Sequence, residues 1–343
     1  MISQAANVLG LTVVSFLAAL ILTPTTVRIL RKLNANKQIR PVIADLHGHK
    51  ENTLTMGGIM IWATVVGIAI IIGVLSLFFD GFWSNLNIID RAETYLPLAA
   101  MLIAAALGMV DDMLGVLRIG PSGGGLKVSQ KLIMYAVIAL LGGLWFYYKL
   151  EWSSLYVPFL GNVYIGGWYV PIFMFVIVAS AFSANETDGL DGLLGGTSLF
   201  SFGALTVVAF ALGRYHLAAF SGALIGALLA FLWFNINPAK FFMGDTGSMS
   251  LGITMGVIAM LTNTALFLPF FAFIPLVESL SVIIQIISNK LFHKRVFKMA
   301  PVHHHFEKIG WPETEVTMRF WIISAAFSAL GLILFFISKF LIT

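Results

Sequence analysis

Between Ser183 and Leu194 three acids, an amide and two glycines close an apolar run, where charged groups are costly. Asn185, Asp188 and Asp191 recur every three residues, so a helical turn would line them along one face. Gly189 and Gly192 equally permit a tight acidic loop. Either geometry converges oxygen ligands, the kind that hold hard divalent cations. Mg²⁺ in particular takes one or two carboxylates together with substrate phosphates. The plainer alternative is a polar loop with a helix N-cap at Asn185 or Asp188.

Other polar stretches join it. Thr55-Met-Gly-Gly58 opens an apolar segment, and its glycines would let a helix end approach a phosphate or another backbone. Gly108-Met-Val-Asp-Asp112 ends another. Neighbouring helical residues point roughly 100° apart, so the two aspartates are expected to do different jobs. Acids at a helix C-terminus also oppose the macrodipole, which argues for a chemical reason. Phe234 to Ser248 is a polar loop with Asp245 between Gly244 and Thr246, offering backbone amides to a phosphate and a carboxylate to a metal, or simply an N-cap at Thr246 or Ser248. Pro301-Val-His-His-His-Phe-Glu307 lacks the spacing of a closed zinc site, since three consecutive histidines cannot share a helix face. Imidazoles that bind pyrophosphate or a peptide carboxylate fit the pattern, as does a solvated basic loop outside the apolar segments.

The elements that must position these residues are membrane helices. The 343 residues are 59% hydrophobic and 10% charged with mean hydropathy +0.94, against about 25% charged in soluble proteins. Cysteine is absent, which removes disulfides, thiolate metal sites and cysteine nucleophiles. A span needs about 20 apolar residues, fewer where protein covers its ends. Ten segments qualify: Ala5 to Leu22, Thr55 to Phe79, Tyr95 to Val110, Lys131 to Tyr148, Trp168 to Ala184, Leu193 to Leu212, Leu217 to Phe234, Ser248 to Leu261, Ala265 to Ile287 and Thr317 to Ile337. The expectation is an all-α polytopic membrane protein, one domain over residues 1–343, with about ten transmembrane helices. The first segment has no basic n-region and reads as a retained span.

One set of loops carries most lysines and arginines, from Arg28 through Lys37, Arg40, Lys50 and Lys127 to Lys308. The opposite set holds only Arg91, Lys149, Arg214 and Lys339. The positive-inside rule makes the first set cytoplasmic and puts both termini outside. Lys149 to Gly167, rich in Trp and Tyr, reads as an interfacial hairpin on the outer face. The acids segregate as well. Asp45, Glu51, Asp111, Asp112, Glu186, Asp188, Asp191, Asp245, Glu307, Glu313 and Glu315 fall on the cytoplasmic side, against Asp80, Asp90, Glu93 and Glu151, and only Glu278 lies within a span. A proton-coupled transporter, the alternative, places such groups near the midplane. Acids gathered at one face suit an enzyme joining a water-soluble substrate to a lipid.

Thr55-Met-Gly-Gly58, Asp111-Asp112, Asn185-x-x-Asp-Gly-Leu-Asp-Gly192, Gly244-Asp-Thr-Gly-Ser248 and Pro301-Val-His-His-His-Phe-Glu307 together resemble the polyprenyl-phosphate N-acetylhexosamine-1-phosphate transferases. The triple histidine followed by Gly310-Trp-Pro-Glu313 is typical of the phospho-N-acetylmuramoyl-pentapeptide branch. Three departures stand out: Glu186 replaces a usually apolar residue, Asp45 to Asn52 lacks the common Gly-Pro-Lys-Ser-His form, and Met-Leu-Gly follows Asp112 where a lysine is frequent.

The resemblance implies a cytoplasmic-face active site in a bacterial inner membrane. It implies transfer of phospho-N-acetylmuramoyl-pentapeptide from UDP to undecaprenyl phosphate, with Mg²⁺ as cofactor, in peptidoglycan synthesis. Asp245 would be the main metal ligand, with Asn185 beside it, and Asp111 or Asp112 the base or acceptor-orienting group. Asp188 and Asp191 would shape the nucleotide and metal pocket. Lys50, Lys131, His303, His304 and His305 would contact anionic parts of the substrates. Membrane lipid and a second copy of the chain complete the expected partners, and nucleic acid is not among them. A sister transferase using another UDP-N-acetylhexosamine is the nearest rival, and the histidine stretch argues against it.

Overall fold

The computed structural model describes residues 1–36, 50, 53–79, 81, 83, 86–89, 92–121 and 124–342. Lys37, Arg40, Asp45, Glu51, Asp80, Asp90, Arg91 and the side chain of Glu93 lie outside the described residues, as does most of the departing stretch from 45 to 52.

Apolar runs without interior polar faces become helices buried in one another or in lipid. They are α1 Ile2–Lys32, α2 Ile59–Phe78, α3 Ala92–Val116, α4 Val128–Tyr148, α5 Tyr169–Thr187, α6 Leu193–Ala211, α7 Tyr215–Asn235, α8 Asp245–Leu261, the short α9 Leu268–Phe271, α10 Phe273–Phe292, α11 Val302–Lys308 and α12 Glu313–Ile342. Among the described residues nine are long and apolar enough to cross a membrane, and the 17-residue α8 is a shorter apolar helix. Each of the ten expected segments therefore contains a helix, and the chain is an all-α multi-pass membrane protein.

Two segments differ from expectation. Ala265 to Ile287 is not one helix: a 3₁₀ turn at Ala265–Phe267 and α9 precede a break at Ala272 (φ −116°, ψ 44°) before α10 begins. Pro269 and Pro275 lack an amide hydrogen and sit only in first turns, so the chain restarts around them. The third segment runs past Val110 to Val116, which places Asp111 and Asp112 inside α3.

Helix α8 is the axis of the molecule. It packs on α3 and α5, and every residue from Thr246 to Leu261 is buried. Small residues allow that approach. A Cβ on Gly252 would come 2.6 Å from the Ser180 carbonyl of α5, and one on Gly108 of α3 would come 2.2 Å from the Asp245 carbonyl. Glycine at 108 thus lets the backbone of α3 touch the start of α8, where Asp245 stands.

At the other end of α8 lies the hairpin expected from the aromatic loop. β1 Ser154–Val157 pairs antiparallel with β2 Gly161–Tyr164, Ser154 opposite Tyr164. The Tyr156 amide donates to Asn263 Oδ1 (2.9 Å), just beyond α8, and its hydroxyl meets Ser338 Oγ of α12 (2.9 Å). Arg214 lies over the Trp152 ring and Lys339 over that of Tyr156. Arg214, Lys339 and the hairpin thus share one end of the bundle, and Asp245 stands at the opposite end of α8.

Candidate active site

Three adjoining clusters form the acidic end. In the first, the Lys131 ammonium lies between two carboxylates, 2.7 Å from Asp111 Oδ2 and bonded to Asp245 Oδ2. Asp111 Oδ1 accepts the Leu126 amide, and Asn185 Nδ2 donates to Asp245 Oδ1 (2.9 Å) and Ser248 Oγ (3.1 Å). Four expected site residues from α3, α4, α5 and α8 therefore meet. Tyr135, one turn beyond Lys131 on the same face of α4, keeps a buried hydroxyl with no hydrogen-bond partner.

The two neighbouring aspartates divide their work, as their helical angle requires. Asp112 accepts from the first amides of α8, Asp245 N–H at Oδ1 (3.1 Å) and Thr246 N–H at Oδ2 (2.9 Å). A carboxylate of α3 thus caps α8 and meets its positive end, which offsets the unfavourable place of Asp112 near a helix C-terminus. Asp188 Oδ2 accepts the Gly244 amide (3.2 Å). The amides expected to cup a phosphate are taken by these two acids. The cap position itself is Gly244 (φ +74°), where a Cβ would sit 2.5 Å from Asp112 Oδ2. Asp112→Asn would turn an amide nitrogen toward one of the two N–H groups. Leaving that donor unsatisfied is expected to cost about 1–3 kcal/mol, checked by thermal unfolding in detergent, with activity falling alongside.

Thr55 to Gly58 also serves this helix start. The amides of Gly57 and Gly58 donate to the carbonyls of Phe242 (2.8 Å) and Met243 (2.9 Å), and the Phe242 amide to Leu54 (2.7 Å). The glycines are there for backbone approach, since a Cβ on Gly58 would lie 2.2 Å from Gly247 Cα.

The second cluster is a knot around Lys50. α5 ends at Thr187 and α6 begins after Gly192, so Asn185, Asp188 and Asp191 do not line one helical face. Asp191 points instead into buried ground: Oδ1 pairs with Lys50 Nζ (2.7 Å), and Oδ2 accepts from Asn237 Nδ2 (3.0 Å) and the Ala239 amide (3.1 Å). Glu313 Oε1 accepts from the same ammonium (2.5 Å) and from the Asp191 amide (2.7 Å). The Lys50 ammonium, expected on the substrate, is held by these two internal acids. Asn237 and Glu313 were not among the expected site residues, because isolated loop polar groups carry no spacing signal.

The third cluster corrects the picture of the histidines. Pro301 starts the short helix α11, and Phe306 anchors it on Trp311 and Phe320 (ring centroids 4.7 and 5.8 Å). This is no solvated loop. His303 is 1% exposed, its Nδ1 3.0 Å from Oε2 of the fully buried Glu278 in α10, and His304 Nδ1 is 2.7 Å from Glu307 Oε2. His305 differs: its Nδ1 accepts the Lys298 amide (3.1 Å). Alanine at all three positions would strip the buried Glu278 of its partner, so such a variant is expected to lose stability.

Burial works against a charged His303, but the Glu278 carboxylate more than offsets it and holds the imidazolium above the ordinary histidine value, with Glu307 and Glu186 adding to the field. A raised folded value stabilises the protein fully below the unfolded value of 6.5, and that stability is lost as pH rises through the folded value. The unfolding-temperature gap between wild type and Glu278→Gln is therefore expected to narrow as pH rises above 6.5. A gap that widens with pH would contradict this account.

Among the described residues no three His, Cys, Asp or Glu side chains could hold an ion by themselves. Asp111 and Asp245 nevertheless converge on a single cationic nitrogen with oxygens alone. This donor set fits Mg²⁺, which takes one or two carboxylates and completes its shell with phosphate oxygens and water.

The Asp–Lys–Asp centre thus stands at the start of the most buried helix of a membrane-embedded bundle, and the comparisons with known proteins place such a chain among the membrane-bound transferases. A model described as glycosyl transferase family 4 matches residues 94–263, which include the first cluster. The phospho-N-acetylmuramoyl-pentapeptide-transferase of Geobacillus sp. (strain WCH70) is 39% identical, over 93% of this chain and 95% of its own. Those of Chloroflexus aggregans and Borrelia garinii subsp. bavariensis are 38% and 36% identical, over 97% and 94% of this chain and 90% and 93% of theirs. The chain belongs to the phospho-N-acetylmuramoyl-pentapeptide-transferase family.

Proposed function

We propose that this enzyme transfers phospho-N-acetylmuramoyl-pentapeptide from UDP to undecaprenyl phosphate, giving lipid I and UMP in peptidoglycan synthesis. The observation that carries the reading is the convergence of Asp111, Lys131, Asn185 and Asp245 at the α8 N-terminus. An oxygen of the acceptor phosphate attacks the β-phosphorus of the donor. A new P–O bond closes the lipid pyrophosphate, and the bond from the β-phosphorus to the bridging oxygen breaks, the electron pair leaving with UMP. The acceptor phosphate, with a second pKa of about 6, is largely ionised at neutral pH, so the chain's task is positioning more than deprotonation.

Two anions must meet, and Lys131 brings a cation to the place where Asp111 and Asp245 face each other. Asp111, facing that centre, orients the acceptor; Asp112, committed to the amides of α8, holds Asp245 in place. Asn185 fixes the Asp245 carboxylate through Oδ1. Mg²⁺, held by Asp245 and Asp111 with Asn185 beside them, would supply Lewis-acid neutralisation of the phosphate oxygens.

The test is to offer purified protein undecaprenyl phosphate with each UDP-sugar in turn and to measure UMP. Release with the muramoyl-pentapeptide donor alone is expected. Release with another UDP-N-acetylhexosamine would favour the sister transferase, and no product with any donor would favour a transporter. The same reading places the acidic end in the cytoplasm of a bacterial inner membrane. Tags at both termini are then expected to react with impermeant reagents from outside, and a tag near Lys298 is not.

A further inference from the structure

We propose that Glu278 is a positioning residue for the transfer: acting through His303, it fixes the turn at Gly189 on which Asp188 and Asp191 stand. The inference rests on the transferase reading above. Glu278 is wholly buried in the apolar helix α10, an expensive place for a carboxylate. Its Oε2 engages His303 twice, through the ring Nδ1 (3.0 Å) and through the backbone amide (3.4 Å). A ring tied at Nδ1 has a set orientation, as second-shell carboxylates set histidines elsewhere. Its far edge is aimed at Gly189.

That contact is close. A Cβ on Gly189 would lie 2.2 Å from His303 Nε2 and 2.6 Å from Cε1, so the imidazole fills the space that any side chain there would need. On one side of Gly189, Asp188 accepts the amide of Gly244, the residue before Asp245. On the other, Asp191 grips Lys50 and Asn237. One chain of contacts thus leads from the membrane helix α10 through α11 to the start of α8. Stability alone does not account for it. Glu278 Oε1 and His303 Nε2 are both buried without a hydrogen-bond partner, and a pair kept only to hold the fold would be expected to satisfy them.

The experiment uses the full-length purified chain and UMP release over a donor concentration series, with thermal unfolding in parallel. Glu278→Gln keeps shape and an acceptor oxygen but loses the charge. It is expected to lower kcat by about 10–100-fold, the usual effect of losing a second-shell partner, with a smaller change in donor KM. Glu278→Gln with His303→Asn is expected to be no worse than the poorer single variant, because both break one linkage. Gly189→Ala, pushing on the ring from the other side, is expected to reproduce the kcat loss with both Glu278 and His303 still present.

Wild-type kcat in folded Glu278→Gln overturns the inference, as does a loss confined to KM or losses that multiply in the double variant. If Glu278→Gln fails to fold, Gly189→Ala decides: a folded variant with wild-type kcat overturns it. A wild type that releases no UMP sinks the transferase reading and this inference with it. An active wild type beside an equally active Glu278→Gln sinks the inference alone.

Discussion

Asp245→Asn is expected to lower turnover by about 10²-fold or more, roughly 2.7 kcal/mol of transition-state stabilisation, while leaving the fold intact. Asparagine keeps the size of the side chain and an oxygen to accept from Asn185 Nδ2. It loses the charge that faces Lys131 and that would hold Mg²⁺. The backbone of residue 245 stays anchored through its amide to Asp112, so the start of α8 does not depend on the carboxylate. Turnover is measured across a Mg²⁺ series, where the variant is expected to need more metal for whatever activity remains. Near wild-type turnover with an unchanged Mg²⁺ requirement would remove Asp245 from the centre. Glu151→Gln is the control, since Glu151 is exposed beside the hairpin at the far end of α8, and it is expected to be silent.

The sequence announces most of this centre and conceals the rest for identifiable reasons. Helices were legible because a span of about 20 apolar residues is a demand of the bilayer itself. Asp111, Lys131, Asn185 and Asp245 were legible because charge beside apolar runs is costly and rarely idle. The direction of each side chain was not. Nothing in the spacing of Asp111 and Asp112 says which one caps α8, because the answer depends on Gly108 letting α3 touch Asp245. Asp188 and Asp191 look equivalent in Asp-Gly-Leu-Asp-Gly, yet the turn between α5 and α6 sends one to Gly244 and the other to Lys50. His303 read as a solvent-facing ligand because its partner, Glu278, is 25 residues away. Long-range pairing of that kind leaves no local pattern. The lone acid inside a span was the available signal, and it pointed to Glu278 without naming its partner.

Lys131→Met is expected to have the second large effect, and of a different kind. The Lys131 side chain is 13% exposed, those of Asp111 and Asp245 are 7% and 18%, and the ammonium is what keeps the two carboxylates together. Methionine preserves much of the aliphatic stem and removes the cation, leaving two largely buried carboxylates facing each other. Breaking a buried pair in this way typically costs about 3–5 kcal/mol, so a clear fall in unfolding temperature is expected along with loss of activity. The informative measurement is the shift that Mg²⁺ produces in that temperature, which needs no turnover. In the wild type a divalent ion must share the carboxylates with an ammonium already in place; in Lys131→Met it alone can neutralise them. Mg²⁺ is therefore expected to stabilise the variant more than the wild type, and adding Asp245→Asn is expected to abolish the difference. An equal or smaller shift in Lys131→Met would mean that Asp111 and Asp245 do not form the cation site.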